Sequence, residues 1–384
     1  MTDDPPSQDP SPDGEAAAGR DQGEVSVYPP RLRTFRHTTI LLVTVGALVQ
    51  LVLSAYYLSI GHAPAPHNLP VAVVAAADQQ ESVRQQIEHG GSFRVTFATD
   101  AGQIRSDILR KDVYGGLDLS GATPHLYIAS AAGTGASNAI RSAFTAVINN
   151  RVAQNVKKLE AAGGPVPLST VQQLTSPAAI TDVAPLPGSD TTGGSVGLLI
   201  QALALGATVA ALGLGRLVDR RRRSLVQGAS HVAMMVLYSV ASAAVVLMVA
   251  GWFGVPASGS RWSLFLSFLL VSLAITGSTA AFVSLFGPAG SLVGTLYFTL
   301  GVIISGSSIL PEFLPTAGRV FGQALPTGAG VAAIRDSLYF PDAPVRTPLT
   351  VLGLYAGIGL GAVLVINAFS PSRRRRAGVA VPPG

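Results

Sequence analysis

Few residues in this chain sit at spacings that invite chemistry. The densest ionisable cluster is Asp219 followed by Arg220, Arg221, Arg222 and Arg223. Such a run can dock ionically on an acidic surface, or it can hold a loop on the cytoplasmic side of a membrane. A second group lies in SGSSILPEFLPTAGRVFGQALPTGAG (Ser305 to Gly330) and the residues just after it. There Gly306, Pro311, Glu312, Pro315, Arg319, Pro326, Arg335 and Tyr339 combine backbone breaks with rare charges. A third stretch, GTGASN (Gly133 to Asn138), has the look of a phosphate loop but reads more simply as a turn with Ser137 capping the following helix.

Other chemistry is missing. There are no cysteines, so thiolate metal sites, disulfides and cysteine nucleophiles are excluded. The six histidines are scattered, and no metal or other cofactor is expected. A Walker-type loop needs GxxxxGK[ST], yet none of the three lysines, Lys111, Lys157 and Lys158, follows a glycine. GGLDLSG (Gly115 to Gly121) is not a nucleophile elbow, and no Ser/His/Asp arrangement has local support. The chain is not expected to be an enzyme. His231, near the start of an apolar run and close to the arginines, reads as an interfacial structural residue.

The elements that must position these residues are mostly apolar helices. Of 384 residues, 48% are hydrophobic and only 12% charged, against about 25% charged in soluble domains. Lipid is therefore the natural second solvent, and nucleic acid is not an expected partner, because each basic run abuts an apolar stretch. The reading is a polytopic α-helical membrane protein with six transmembrane helices, at 37–60, 195–215, 229–253, 264–286, 291–310 and 349–369. Residues 1–36 form an acidic, proline-rich cytoplasmic tail expected to be disordered. The first apolar run has the alternative of a signal peptide, since Ala63-x-Ala65 follows it; its length favours an uncleaved anchor. Arg31, Arg33 and Arg36, the 219–223 cluster and Arg373 to Arg376 (in the basic tail 371–384) all fall inside in this arrangement, which gives a multi-pass protein of the cell membrane with both termini cytoplasmic.

Residues 61–193 have ordinary soluble composition and lie outside by parity. LPVAVVAA, ESVRQQIEHG, FRVTFAT, an Asp100-capped helix, VYGGLDL, HLYIAS and a long helix from Ser137 to Leu159 predict a β-α-β-α-β-β-α order, an extracytoplasmic α/β domain between helices 1 and 2. Its exit, DVAPLPGSDTTGG, is proline-rich. In the five-helix region 194–370, Pro311 and Pro315 cannot continue helix 5, and LPTGAG is a second break. Residues 311–340 therefore predict a re-entrant pair of short helices between helices 5 and 6, with Phe313, Leu314, Val320, Phe321 and Leu325 toward lipid and Glu312 and Arg319 toward water. Gly353, Gly357 and Gly361 form one stripe on helix 6, suited to close packing within the bundle or to a subunit contact.

This layout resembles the ABC-2-type transporter permeases, and within them the YhgE/Pip-like branch, over residues 38–370. Gly306, Pro311, Pro315, Pro326, Arg335 and Tyr339 carry the match in the outer segment, and LPVAVV and DVAPLPGSD carry it at the two ends of the α/β domain. The resemblance implies a homo- or heterodimeric membrane subunit that exports an amphipathic or lipid-like substrate with a separate cytoplasmic ATP-binding subunit, the 219–223 loop serving as the coupling element. It also implies an alternative, a cell-surface receptor or envelope assembly factor without transport activity.

Overall fold

The computed structural model describes residues 31–61, 64–121, 123–161, 177–217, 224–255 and 260–369. The expected tail up to residue 30, the Asp219–Arg223 cluster and the basic tail lie outside the described residues. Helix α1 (Arg31–Gly61) starts within the segment expected to be disordered, because no glycine or proline separates Arg31 from the apolar run.

The α/β domain follows the predicted order: β1 (Leu69–Val74), α2 (Gln80–Glu88), β2 (Phe93–Phe97), α3 (Ala101–Leu109), β3 (Gly115–Asp118), β4 (His125–Ile128) and α4 (Thr134–Ala161). It gains one strand that the sequence did not announce, β5 (Ala179–Asp182). The sheet order is β2-β1-β3-β4-β5, with β1 parallel to β2 and β3, β3 antiparallel to β4, and β4 parallel to β5. β1 is flanked by β2 and β3 and buried, which is why LPVAVV is continuously apolar. Adjacent residues of a strand face opposite sides. A Cβ on Gly115 would lie 3.0 Å from Ile140 of α4, and one on Gly116 would lie 2.4 Å from Ile104 of α3. The two helices thus press on opposite faces, and the Gly-Gly pair lets both come close. Asp100 caps α3 as expected, its Oδ1 accepting from the Gln103 amide at 2.9 Å.

Among the described residues, five helical runs are long and apolar enough to cross a membrane: Thr39–Ser59, Ser195–Arg216, Leu225–Trp252, Arg261–Ile304 and Arg346–Phe369. On that ground the chain reads as membrane-embedded. The expected fourth and fifth helices fall within one run of 44 residues. The run is not straight: α7 (Arg261–Phe286) ends at Gly287 (φ 72°), and a 3-10 turn, Gly287–Ser291, follows. A Cβ on Gly290 would come within 2.2 Å of the Phe282 backbone, so the chain folds back against α7. It continues as α8 (Leu292–Leu296), a π-helical turn (Tyr297–Gly301) and α9 (Val302–Ile304). Gly294 meets Thr208, and Ser307 meets Gly197, so this segment runs antiparallel to α5 (Ser195–Leu217). α6 (Leu225–Trp252) and α12 (Arg346–Phe369) complete the bundle, with α7 packed against α5, α6 and α12.

Candidate functional site

The segment from Ser305 to Phe340 is built by its prolines. Gly306 (φ 88°) turns the chain after α9. Pro311 opens a 3-10 turn, Pro311–Phe313; Pro315 precedes α10 (Thr316–Ala324); and Pro326 stands in the first turn of α11 (Pro326–Tyr339). Each proline occupies a helix start, where its missing N–H costs no hydrogen bond. LPTGAG is therefore not a break beyond Leu325, contrary to expectation: Thr327 to Gly330 are helical.

The two short helices differ. In α11 every residue but Ala332 is buried. Its start is deep: Thr327 packs beside Gly301, and Gly330 beside Val271 and Ile200. Val271 lies ten residues into α7, which corresponds to about 15 Å of rise. Its end is shallow, with the Ser337 hydroxyl 3.2 Å from that of Ser263 and 3.3 Å from that of Ser267. α10 buries only Gly322 and leaves Val320 and Phe321 exposed. Of the residues expected toward lipid, Phe313 and Leu314 are instead buried, because the 3-10 turn tucks them under the α/β domain side of the segment.

Polar contacts fasten this segment to the α/β domain. Lys111 Nζ donates to Asp336 Oδ1 at 2.6 Å and sits 5.5 Å from the centre of the Phe340 ring. Lys111 itself has φ 60°, a conformation uncommon for a residue with a side chain, held here at the turn that presents its ammonium group. The Tyr114 hydroxyl donates to Glu312 Oε1 at 2.9 Å. Burial, and then the Glu312 carboxylate, hold the Tyr114 hydroxyl well above its ordinary ionisation range. The Tyr339 hydroxyl donates to Asp190 Oδ2 at 3.3 Å, while Asp190 also accepts from the Gly194 and Ser195 amides and so caps α5. Arg335 donates from Nη1 to the Gly306 carbonyl at 2.8 Å and from Nη2 to the Ser307 carbonyl at 3.0 Å, which holds the turn after α9 shut. Gln323 donates to the Ser305 carbonyl at 3.0 Å. A small cavity of about 150 Å³ lies among Lys111, Glu312, Arg319, Gln323 and Arg335.

The sequence matches no family model and no curated protein, and the structure matches no solved structure.

Gly306, Pro311, Glu312, Pro315, Arg319, Pro326, Arg335 and Tyr339 lie in the stretch from the turn after α9 to the end of α11. Lys111, Tyr114, Asp190 and Asp336 were not singled out by sequence reasoning. A signal existed for one of them: across residues 191–341 the only acids are Asp219, Glu312 and Asp336. The glycine stripe behaves differently from one of its two expectations. A Cβ on Gly353, Gly357 or Gly361 meets nothing within 4 Å, so the stripe faces away from the bundle. The close approach belongs to Gly359, whose Cβ would lie 2.4 Å from the Gly277 backbone of α7. His231, near the start of α6, is buried, and neither ring nitrogen has a hydrogen-bond partner among the described residues. Among the described residues no cluster of His, Cys, Asp or Glu could hold a metal ion.

Proposed function

We propose that this chain is the membrane permease subunit of an ABC-2-type exporter, moving an amphipathic or lipid-like substrate with the help of a separate cytoplasmic ATPase. The observation that carries the reading is the buried half-helix α11, which enters the bundle from the side of the α/β domain and is tied to that domain by Lys111–Asp336 and, through neighbouring turns, by Tyr114–Glu312 and Tyr339–Asp190. Irregular backbone at such depth survives only when protein packs around it. Here it gives a wedge through which a movement of the bundle reaches the outer domain.

In this reading 292–304 is a sixth crossing, the α/β domain is extracytoplasmic and both termini are cytoplasmic in the cell membrane. The antiparallel run of 292–304 along α5 supports the sixth crossing. The exposed rings of Trp252, Phe253 and Trp262, at the ends of α6 and α7 on the side of the α/β domain, suit an interfacial aromatic belt there. The arginine clusters in the connecting and terminal segments suit the opposite, cytoplasmic side. The outward Gly353, Gly357 and Gly361 face, flanked by exposed Leu354 and Ile358, offers a place for a dimer contact.

The test is purification of the tagged full chain from native membranes with mild crosslinking. A stoichiometric P-loop ATPase, lost when Arg220 to Arg223 are replaced by Gln, is the expected result. A folded chain that never carries an ATPase refutes the reading. A second reading, an envelope receptor, is favoured by one feature: an open groove on the α/β domain between α2 and α4, lined by Gln85, Gln86, Ile87, Phe93, Val147 and Asn150. Loss of envelope-ligand binding on altering this groove, with export intact, would support it.

A further inference from the structure

Glu312 is held at two points. Its backbone carbonyl accepts from the His67 amide at 2.8 Å, and its Oε1 accepts from the Tyr114 hydroxyl at 2.9 Å. Its other carboxylate oxygen, Oε2, is buried and has no hydrogen-bond partner among the described residues. Taking such an oxygen out of water without a donor is costly, and folded proteins leave few atoms in that state. Arg319, on α10, is in the converse position. It is half-buried, and its guanidinium makes no hydrogen bond or ion pair among the described residues.

Both side chains line the same cavity of about 150 Å³. Of the four charged side chains in its wall, the other two are engaged, Lys111 with Asp336 and Arg335 with the Gly306 and Ser307 carbonyls. Glu312 and Arg319 form no ion pair with each other. The wall therefore leaves open one anionic acceptor and one cationic donor, set apart. A bridging water needs about 10–15 Å³, so the space is far larger than one water bridge requires. Leu310, Pro311 and Val331 make part of the wall apolar. Val320 and Phe321, the two residues after Arg319, are exposed on α10 and suit the acyl region of a membrane.

We propose that this cavity takes a zwitterionic group, a primary ammonium joined by a short alkyl link to a phosphate, as in ethanolamine phosphate. The ammonium donates to Glu312 Oε2, and a phosphate oxygen accepts from Arg319, whose planar guanidinium matches phosphate geometry. A primary ammonium carries three N–H donors and a trimethylated one carries none, so a choline headgroup cannot satisfy Glu312. A headgroup without a cation leaves Glu312 Oε2 unpaired. The proposal goes beyond the exporter reading and does not depend on it: an ATPase that never appears leaves it standing.

The test uses the full chain, delipidated in detergent, as wild type, Glu312→Gln and Arg319→Gln. Glutamine at 312 removes the charge but keeps an acceptor for Tyr114, and Arg319 has no side-chain partner to lose. Each protein is equilibrated with phosphatidylcholine vesicles containing equal amounts of phosphatidylethanolamine and phosphatidylglycerol, re-extracted, and its retained lipid is measured by mass spectrometry. In a parallel arm O-phosphoethanolamine and inorganic phosphate are titrated while thermal unfolding is followed. Wild type is expected to retain phosphatidylethanolamine over the other two lipids, or to be stabilised by O-phosphoethanolamine more than by phosphate. That preference is expected to weaken at least about tenfold in each variant. Lipid retention assigns a headgroup, and a response to O-phosphoethanolamine without it assigns a free zwitterion. If Glu312→Gln does not fold, Arg319→Gln decides alone. Equal retention of phosphatidylglycerol and phosphatidylethanolamine with no preference for O-phosphoethanolamine, no response in either arm, or a preference that survives in a folded variant overturns the proposal.

Discussion

The interior of the α/β domain and the interior of the helical bundle are filled by different means. In the domain, the core is branched and aromatic: Val71, Val73, Ile104, Leu117, Leu126, Ile140 and Phe144 are buried around the sheet. No buried side-chain polar atom between residues 64 and 193 lacks a hydrogen-bond partner among the described residues. In the bundle, Ile200, Leu203, Phe268, Val271 and Ile275 are buried too, but small residues and hydroxyls lie among them, and Ser239, Ser272, Thr276, Thr279, Thr327, His231 and Asn367 all carry buried atoms without a partner among the described residues. The difference follows from solvent. A domain folding in water gains from removing large apolar side chains from it, at about 25 cal/mol per Å². Helices already in lipid gain little from that and associate by close backbone contact and polar groups instead.

The comparison is sharpened most by two glycines on one helix. Gly359→Ile puts a branched side chain where α12 touches the α7 backbone, and it is expected to cost more than about 3 kcal/mol, leaving little folded protein in detergent by size-exclusion chromatography. Gly357→Ile, two residues away and facing outward, is expected to leave the monomer's unfolding temperature unchanged. Equal damage from both would break the close-contact account of the bundle.

An intermediate effect is expected where the two regions are joined. Lys111→Met leaves Asp336 buried without its partner, at a cost of about 3 kcal/mol, and the double variant Lys111→Met, Asp336→Leu is expected to recover much of it. Thermal unfolding of the four members of the cycle measures the coupling. Simple additivity would show that the pair contributes nothing to the joint.

The smallest effect concerns Tyr114. Its hydroxyl is held protonated above the ordinary value of 10.0 by burial and by Glu312. The unfolded chain releases that proton first as pH rises, so Tyr114 contributes full stability below pH 10.0 and progressively less above it. Tyr114→Phe is expected to cost about 1–2 kcal/mol near neutrality, since Glu312 loses a donor, and to flatten the decline of stability above pH 10.0. Chemical denaturation across that range checks both points, and an unaltered slope would mean that another group sets it.

The parts of the fold that could be read in the sequence were those with a strong local period. The strand–helix alternation of 69–161 follows from β1's unbroken apolar run, Asp100's cap and the stripe Ile140, Phe144, Val147 and Ile148. β5 escaped because four residues, AITD, carry too little pattern, and its place is set by pairing with β4 across a long separation in sequence. The outer segment was legible as a place, because prolines and rare charges mark it. Its partners Lys111, Tyr114 and Asp190 were not, since ion pairs and hydrogen bonds across 149 to 225 residues leave no local trace. The direction in which Gly353 or Gly359 faces is likewise decided by which neighbour helix lies where, and a glycine stripe alone does not tell inward from outward.

Asp190 has one more consequence. Its carboxylate accepts from the Gly194 amide just before α5 and from the first amide of α5, Ser195, while receiving the hydroxyl at the end of α11. The strap leading from the sheet into the bundle thus ends in a single carboxylate shared by α5 and the buried helix α11. Loss of that one carboxylate would therefore loosen the start of α5 and the end of α11 together.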